Sequence, residues 1–465
     1  MASPILRVPP EILRMIFAPL LPRDLYAVCL THRVWYIVAE PFLYSRIEWT
    51  WKNSLTPPIA QFLRSIVHKP ERGSFVHAVT LNGDRFTHAY DDYKNKCPKL
   101  PVAEAVLDKI VKRIERIRVP YAEQWIQELR AGTMDALIAF LLSLFPNVKY
   151  LYLGETFSRE SHLISMVLRS AFCEESQDSH LPSFKHLQDV SIVYGYPGMG
   201  IRRYTDVRNT VDALRLFYMP SVERLRAVVD NPITFMWPEK YPPNPLRLVS
   251  LDLAMLREGH LGQVLSITRG LRRLQWDWHY RPDLEDRFVT DIIDLDQIAA
   301  DLSNVQETLT ELSITAGSNG DVGDIECPEL TFSGSFKTFS GLHMLEKLEV
   351  PIAFLLGFSS SAPNVAPIEE ALPKNIQWLT ITDELCFQNE WQWDIEGEYI
   401  LEALRPWLQG WKKSTPRLQG LRLVCTVVRF REWSYEMIQG LRGMGIQAGI
   451  QINLIERERW MPGEM

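Results

Sequence analysis

Cysteine is scarce in this chain: six among 465 residues, Cys29, Cys97, Cys173, Cys327, Cys386 and Cys425, with no close pair. Such spacing fits neither a disulfide framework nor a zinc site, and it predicts a reducing home, cytosol or nucleus. Long apolar runs are missing as well. No stretch approaches the roughly 20 consecutive apolar residues of a bilayer span, and the first residues lack a signal peptide's basic start and apolar core. No membrane partner is expected. Charge of one sign is also lacking, since 50 basic side chains face 57 acidic ones for a net charge of -7. A polyanion such as nucleic acid is therefore not predicted as a partner. What is present, 46% hydrophobic and 23% charged residues, is the composition of an ordered protein able to bury a large core.

Motifs of catalysis are absent too. Gly195-Tyr-Pro-Gly-Met-Gly200 with Arg202 and Arg203 is glycine-rich, but a phosphate loop needs a following Lys and hydroxyl in register, so a plain loop is predicted. The histidines, His77, His88 and His279 among them, never pair at metal-ligand spacing. Asp91-Asp92 and Glu369-Glu370 are adjacent carboxylates in loop-like sequence, the common form of a solvated charge run. No Ser, Cys or Lys stands in a nucleophile setting. The sequence predicts no catalytic residue, metal or cofactor. An enzyme remains conceivable only through a pocket lined by tryptophans of the second half, Trp276, Trp278, Trp391, Trp393, Trp407, Trp411 and Trp433, most of which are expected in the core.

The first fifty residues are dense in helix signals. Pro9 and Pro10 lack donors that a first turn leaves unpaired anyway, and Glu11 sits at the positive end of the helix dipole. Ile12, Leu13, Ile16, Phe17 and Leu20 then form one apolar stripe. Pro22 and Asp24 open a second helix carrying Leu25, Val28 and Cys29. A third is predicted from Arg33 to Glu40, with Trp35 in its core, ended by Pro41. About 40 residues cannot enclose this much apolar surface unaided, and a partner is the expected remedy.

These residues resemble an F-box, whose pattern Leu-Pro-x-Glu-Ile-Leu-x-x-Ile-Phe is met by Val8-Pro9-Pro10-Glu11-Ile12-Leu13-Arg14-Met15-Ile16-Phe17. Leu21-Pro22-Arg23-Asp24-Leu25 and Leu30-Thr31-His32-Arg33-Val34-Trp35 continue it. Two departures stand out: Val8 replaces the leading Leu, and Thr31-His32 occupies the usual Val-Cys. The resemblance implies docking onto a Skp-type adaptor and, through it, a cullin-RING ubiquitin ligase, with Val8, Pro9, Pro10, Glu11, Ile12, Leu13, Ile16, Phe17, Leu20 and Leu25 at the contact.

After a predicted linker helix in residues 51–70, one pattern recurs: apolar, two others, apolar, one other, apolar. It starts at Val76-x-x-Val79-x-Leu81, and its middle anchor returns at Leu151, Val190, Leu225, Leu251, Leu274, Leu312, Leu348, Leu379 and Leu421. Ile114-x-x-Ile117-x-Val119 is either a further copy or part of a helix over Leu107 to Arg118. The last two anchors alternate as in a strand, while Pro146, Pro220 and Pro416 mark where a preceding helix stops. Helical stripes precede several copies: Met134, Leu137, Leu141 and Leu144; Ile164, Val167, Leu168 and Phe172; Leu295, Ile298, Leu302 and Val305; Ile400, Leu401, Leu404, Leu408 and Trp411. Helix-strand units of a few tens of residues cannot bury their own faces and must stack. Residues 82–99, 317–334 and 357–368 read as surface loops, Pro238 to Pro245 as an extended connection, and Ile446 to Ile455 as a closing strand with Ile450, Ile452 and Leu454 inward.

The fold class so predicted is α/β: three helices at residues 1–50, then a curved solenoid over 71–465 with a parallel sheet on its concave side. This resembles the leucine-rich repeat in irregular form, and the whole layout resembles the F-box families of filamentous fungi. Residues between anchors face out from such a sheet and are the candidate target-binding set: Tyr150, Tyr152, Asp189, Arg224, Arg226, Asp252, Arg273, Asp277, Glu311, Lys347, Glu349, Trp378 and Arg422. The implied function is a non-catalytic substrate receptor, with an adaptor-bound scaffold outside a ligase as the alternative.

Overall fold

The computed structural model describes residues 8–51, 58–83, 99–100, 102–154, 157, 162–172, 180–192, 213–229, 231–280, 290–318, 329–359, 367–386, 388, 391, 398–426 and 433–457. The glycine-rich 195–200 segment, His88, the Asp91-Asp92 pair and Trp393 lie outside them. The chain divides into two compact units, residues 1–195 with 215–222 and residues 196–214 with 223–465.

In the first unit, helices α1 (Pro10–Phe17), α2 (Pro22–Thr31) and α3 (Arg33–Ser45) lead into strand β1 (Arg46–Trp51). Proline occupies the first turn of α1 and of α2, as its missing donor favours. The third helix corrects an expectation: it does not stop before Pro41 but runs through it to Ser45. One backbone hydrogen bond is forfeited there, and burial of Val38 and Ala39, with Phe42 and Leu43 packed beside them, holds the helix on course. Strand β1 was not legible as a strand. It pairs in parallel with β2 (Ala78–Gly83), then β3 (Tyr150–Leu153) and β4 (Asp189–Ile192) follow. Helix α4 (Ile59–His68) and a 3-10 turn over Pro70–Phe75 connect β1 to β2. The segment around Ile114 is helix α5 (Glu104–Ile117), followed by α6 (Ala122–Arg130) and α7 (Met134–Leu142). Every residue of α7 is buried, including Asp135, whose carboxylate accepts backbone N–H bonds from Leu163 (2.6 Å) and Ile164 (3.0 Å) in the first turn of α8 (His162–Phe172). An anion at a helix N-terminus is where the macrodipole favours it.

The second unit holds strands β5 (Arg224–Val228), β6 (Ser250–Ala254), β7 (Arg273–Tyr280), β9 (Glu311–Ser318), β11 (Lys347–Pro351), β12 (Trp378–Thr382), β13 (Gly420–Thr426) and β14 (Gln451–Arg457), parallel neighbours in that order. A small pair, β8 (Ile292–Asp294) with β10 (Thr331–Ser333), corrects the reading of 317–334 as loop, since β10 falls inside it. Helices α9 (Glu258–Leu265), α10 (Leu295–Leu302), α11 (Ile352–Leu356), α12 (Ile368–Ala371), α13 (Glu398–Ser414) and α14 (Tyr435–Ala448) alternate with the strands. The end of the chain departs from expectation: Ile446 belongs to α14 and is exposed, and the closing strand begins at Gln451. Gly449, left-handed at φ 70°, ends the helix and turns the chain into it.

The anchors explain the architecture. Ile47, Val79, Leu151 and Val190 are register partners in the first unit. Leu225, Leu251, Leu274, Leu312, Leu348, Leu379, Leu421 and Ile452 are register partners in the second. Each unit is thus an open α/β, solenoid-like stack in which one apolar row per strand builds a continuous core. Trp276 and Trp278, two and four residues past the Leu274 anchor on the same inward side of β7, are fully buried.

Candidate functional site

The amino-terminal helices have a small core of their own. Leu13, Phe17, Leu25, Val38 and Ala39 are buried, and Val8, Leu20, Val28, Cys29, Trp35, Phe42 and Leu43 pack around them. Trp35 meets Phe17 edge to face at 6.2 Å. Around this core each helix keeps a second apolar stripe in water: Ile12, Met15 and Ile16 on α1, Tyr26 and Leu30 on α2, Val34 and Ile37 on α3, with Leu21 between. Met15, Leu30 and Ile37 are 72, 70 and 62% exposed. So many large exposed apolar side chains on some forty residues exceed the singly scattered hydrophobics of an ordinary surface. The departures at Thr31 and His32 have local work. Thr31 Oγ1 donates to the Val28 carbonyl (2.7 Å) at the end of α2, and His32 Nδ1 accepts from the Val34 N–H (3.1 Å), capping α3.

A buried carboxylate fastens α3 to the connector between β1 and β2. Glu40 on α3, 5% exposed, accepts from Lys69 Nζ (2.7 Å), Arg72 Nε (2.8 Å) and the Tyr36 hydroxyl. Arg72 also donates to Ser65 Oγ (2.6 Å) and Tyr36 OH (3.1 Å) and stacks on the Tyr44 ring at 4.9 Å. Burial pushes the Glu40 carboxyl up, but these hydrogen bonds and the Arg72 charge outweigh it and hold it below the usual carboxylate range.

A family model matches residues 5–48, and its description is F-box-like. The chain carries an F-box-like domain. No curated protein matches the chain. Of the contact residues expected for the F-box, Pro9, Pro10, Glu11, Ile12 and Ile16 face solvent, and Val8 and Leu20 are half-buried against the core. Leu13, Phe17 and Leu25, at 3, 4 and 3% exposed, are interior and hold the F-box together, which corrects their placement at an outer surface. Met15, Tyr26, Leu30, Val34 and Ile37, which that expectation did not include, are exposed as well. Their spacing, Tyr26 to Leu30 and Val34 to Ile37, carried the signal, but α1, α2 and α3 are apolar on two sides and only the inward one was read.

The outward strand face of the second unit is largely self-paired. Arg226 Nε meets Asp252 Oδ2 at 2.9 Å, and Glu311 bridges Arg273 (2.6 Å) and Lys347 (2.7 Å). Arg224, Arg273, Lys347 and Arg422 are exposed, while Arg226, Asp252, Glu311, Glu349 and Trp378 are partly so. In the first unit Tyr150 is exposed and Tyr152 and Asp189 are half-covered. Asp277 corrects the expectation. It lies 5% exposed and accepts from Thr315 Oγ1 (2.8 Å), because the carboxyl ends of β7 and β9 are covered where Gln388 donates to Ser318 Oγ. Trp276, Trp278 and Trp407 are core side chains rather than pocket walls. Among the described residues no three His, Cys, Asp or Glu gather as a metal site needs, and no helix is long and apolar enough to cross a membrane.

Proposed function

We propose that the chain is the substrate-recognition subunit of a Skp-cullin-F-box ubiquitin ligase. The F-box docks the Skp-type adaptor, and the leucine-rich-repeat-like strand faces capture a protein target, in the layout of fungal F-box receptors. The chain makes and breaks no bond itself. It raises the effective concentration of the target near a charged ubiquitin-conjugating enzyme carried elsewhere in the assembly, in cytosol or nucleus.

The observation that carries this reading is the apolar surface left open on all three F-box helices. Burying one Ile or Leu contributes about 1.5 to 3 kcal/mol, so four such side chains supply the roughly 8 kcal/mol of a micromolar contact. Co-purification with the adaptor tests it. The paired substitution Ile16→Asp and Leu30→Asp abolishes capture while melting stays within a few degrees of wild type; undiminished capture overturns the reading. Reconstitution with cullin and RING then separates receptor from scaffold. A receptor's removal lowers ubiquitin on some cellular protein and raises its abundance, whereas a scaffold's removal changes neither.

A further inference from the structure

On the outward strand face of the second unit, Arg422 differs from its neighbours. Arg226, Arg273 and Lys347 each have a carboxylate within 3 Å. Arg422 is exposed and has no carboxylate at ion-pair distance among the described residues; its guanidinium lies over the Trp378 ring at 4.5 Å. The register places Trp378 beside Gly420 and Thr380 beside Arg422, so indole and guanidinium stand at diagonal outward positions of β12 and β13, and the guanidinium reaches back over the ring. Gly420 makes that possible, since a Cβ there would overlap the Trp378 ring. The indole lies flat across β13 because its neighbour has no side chain.

Stacking fixes the plane of a guanidinium but uses none of its five N–H donors. A rigid, hydrated fork of this kind matches two oxygens of a carboxylate or phosphate, and less ordering entropy is lost when it binds. We propose that Trp378, Gly420 and Arg422 form an oxyanion-recognition site for an acidic or phosphorylated side chain of the target. The proposal rests on the receptor reading above and gives the captured protein a chemical character. Glu349, which stands in the same outward row two strands from Arg422, disfavours a densely acidic ligand, so one isolated oxyanion is the expected epitope.

Degenerate peptide libraries with one fixed central residue, Glu, phosphoserine, Gln or Lys, are passed over the full chain held by its adaptor. The Glu or the phosphoserine library is retained about tenfold better than the Gln library, and which of the two wins names the source of the oxyanion. Arg422→Gln removes that preference, as does Gly420→Ala, which keeps the charge and displaces the indole. Arg273→Gln, on the same face but already paired, leaves it intact. Equal retention of all libraries, no retention of any, or a preference surviving Arg422→Gln overturns the site. Adaptor capture is read in the same preparation, so failure of the receptor reading, with no adaptor bound, is distinct from failure of the oxyanion site.

Discussion

Asp301 sits in the last turn of α10, 6% exposed, accepting from Gln297 Nε2 at 2.8 Å and lying against the backbone of Gly262 on α9. Burial pushes its carboxyl up to about 7, against the hydrogen bonds from Gln297 and Gly262, and the charges of Glu258 and Asp294 add to the rise. The folded chain therefore keeps this proton where the unfolded chain gives it up, and stability falls as pH rises through the window from about 4 to 7. Asp301→Asn removes the titration: denaturant unfolding at pH 5 and pH 8 will show a smaller loss than wild type, by about 2 kcal/mol. Glu40 has the opposite sign. Its depressed carboxyl contributes stability that is present above the ordinary carboxylate range and is lost as acid reaches the folded value. Glu40→Gln is less stable at pH 7 by about 2 kcal/mol and loses less on acidification toward pH 3, as thermal melting will report. Neither residue was legible from sequence. Glu40 reads as an ordinary helix carboxylate until Lys69 and Arg72, about 30 residues on, return to it, and local spacing carries no information on such a return.

At the scale of the element, the F-box helices carry two apolar faces, one buried and one exposed, that the sequence reading merges into one stripe. Leu13→Ala empties interior volume and costs about 2 to 5 kcal/mol, whereas Ile12→Ser or Ile37→Ser exposes less apolar surface and leaves melting unchanged or slightly raised. Circular dichroism melts beside adaptor capture will show the split, with Leu13→Ala losing both readouts and the outer variants losing only capture. The strands were legible because the apolar, two-apart rhythm of Leu225 with Ala227, or Leu421 with Leu423, is a local property that packing then confirms. Strand β1 was not legible, because Ile47, Trp49 and Trp51 follow α3 without a break and read as the tail of the helical region. Pro41 misled for a related reason: the cost of one missing hydrogen bond is local, while the packing of Phe42 and Leu43 that overrides it is not.

Across the whole molecule, one apolar row per strand recurs in both units, and sequence alone supplied that row from Val79 to Leu421 without counting its outer members, Ile47 and Ile452. The outward residues share no such rule, which is why Asp277 was expected at a surface and stands in a covered corner with Thr315. Interior rows should respond alike. Leu251→Ala and Leu348→Ala, both 1% exposed, each lower the unfolding midpoint by an amount equivalent to about 2 to 5 kcal/mol, whereas Lys347→Ala on the adjacent outward position costs under about 1 kcal/mol. The direct passage from α3 into β1 bears on how the protein can be dissected. A truncation starting at residue 51, meant to remove the F-box alone, would strip off a strand, bare the rim of β2 and take Glu40 away from Lys69 and Arg72. Such a fragment would clump or be cleared for reasons unrelated to ubiquitin, so genetic comparisons need intact chains carrying surface point changes instead.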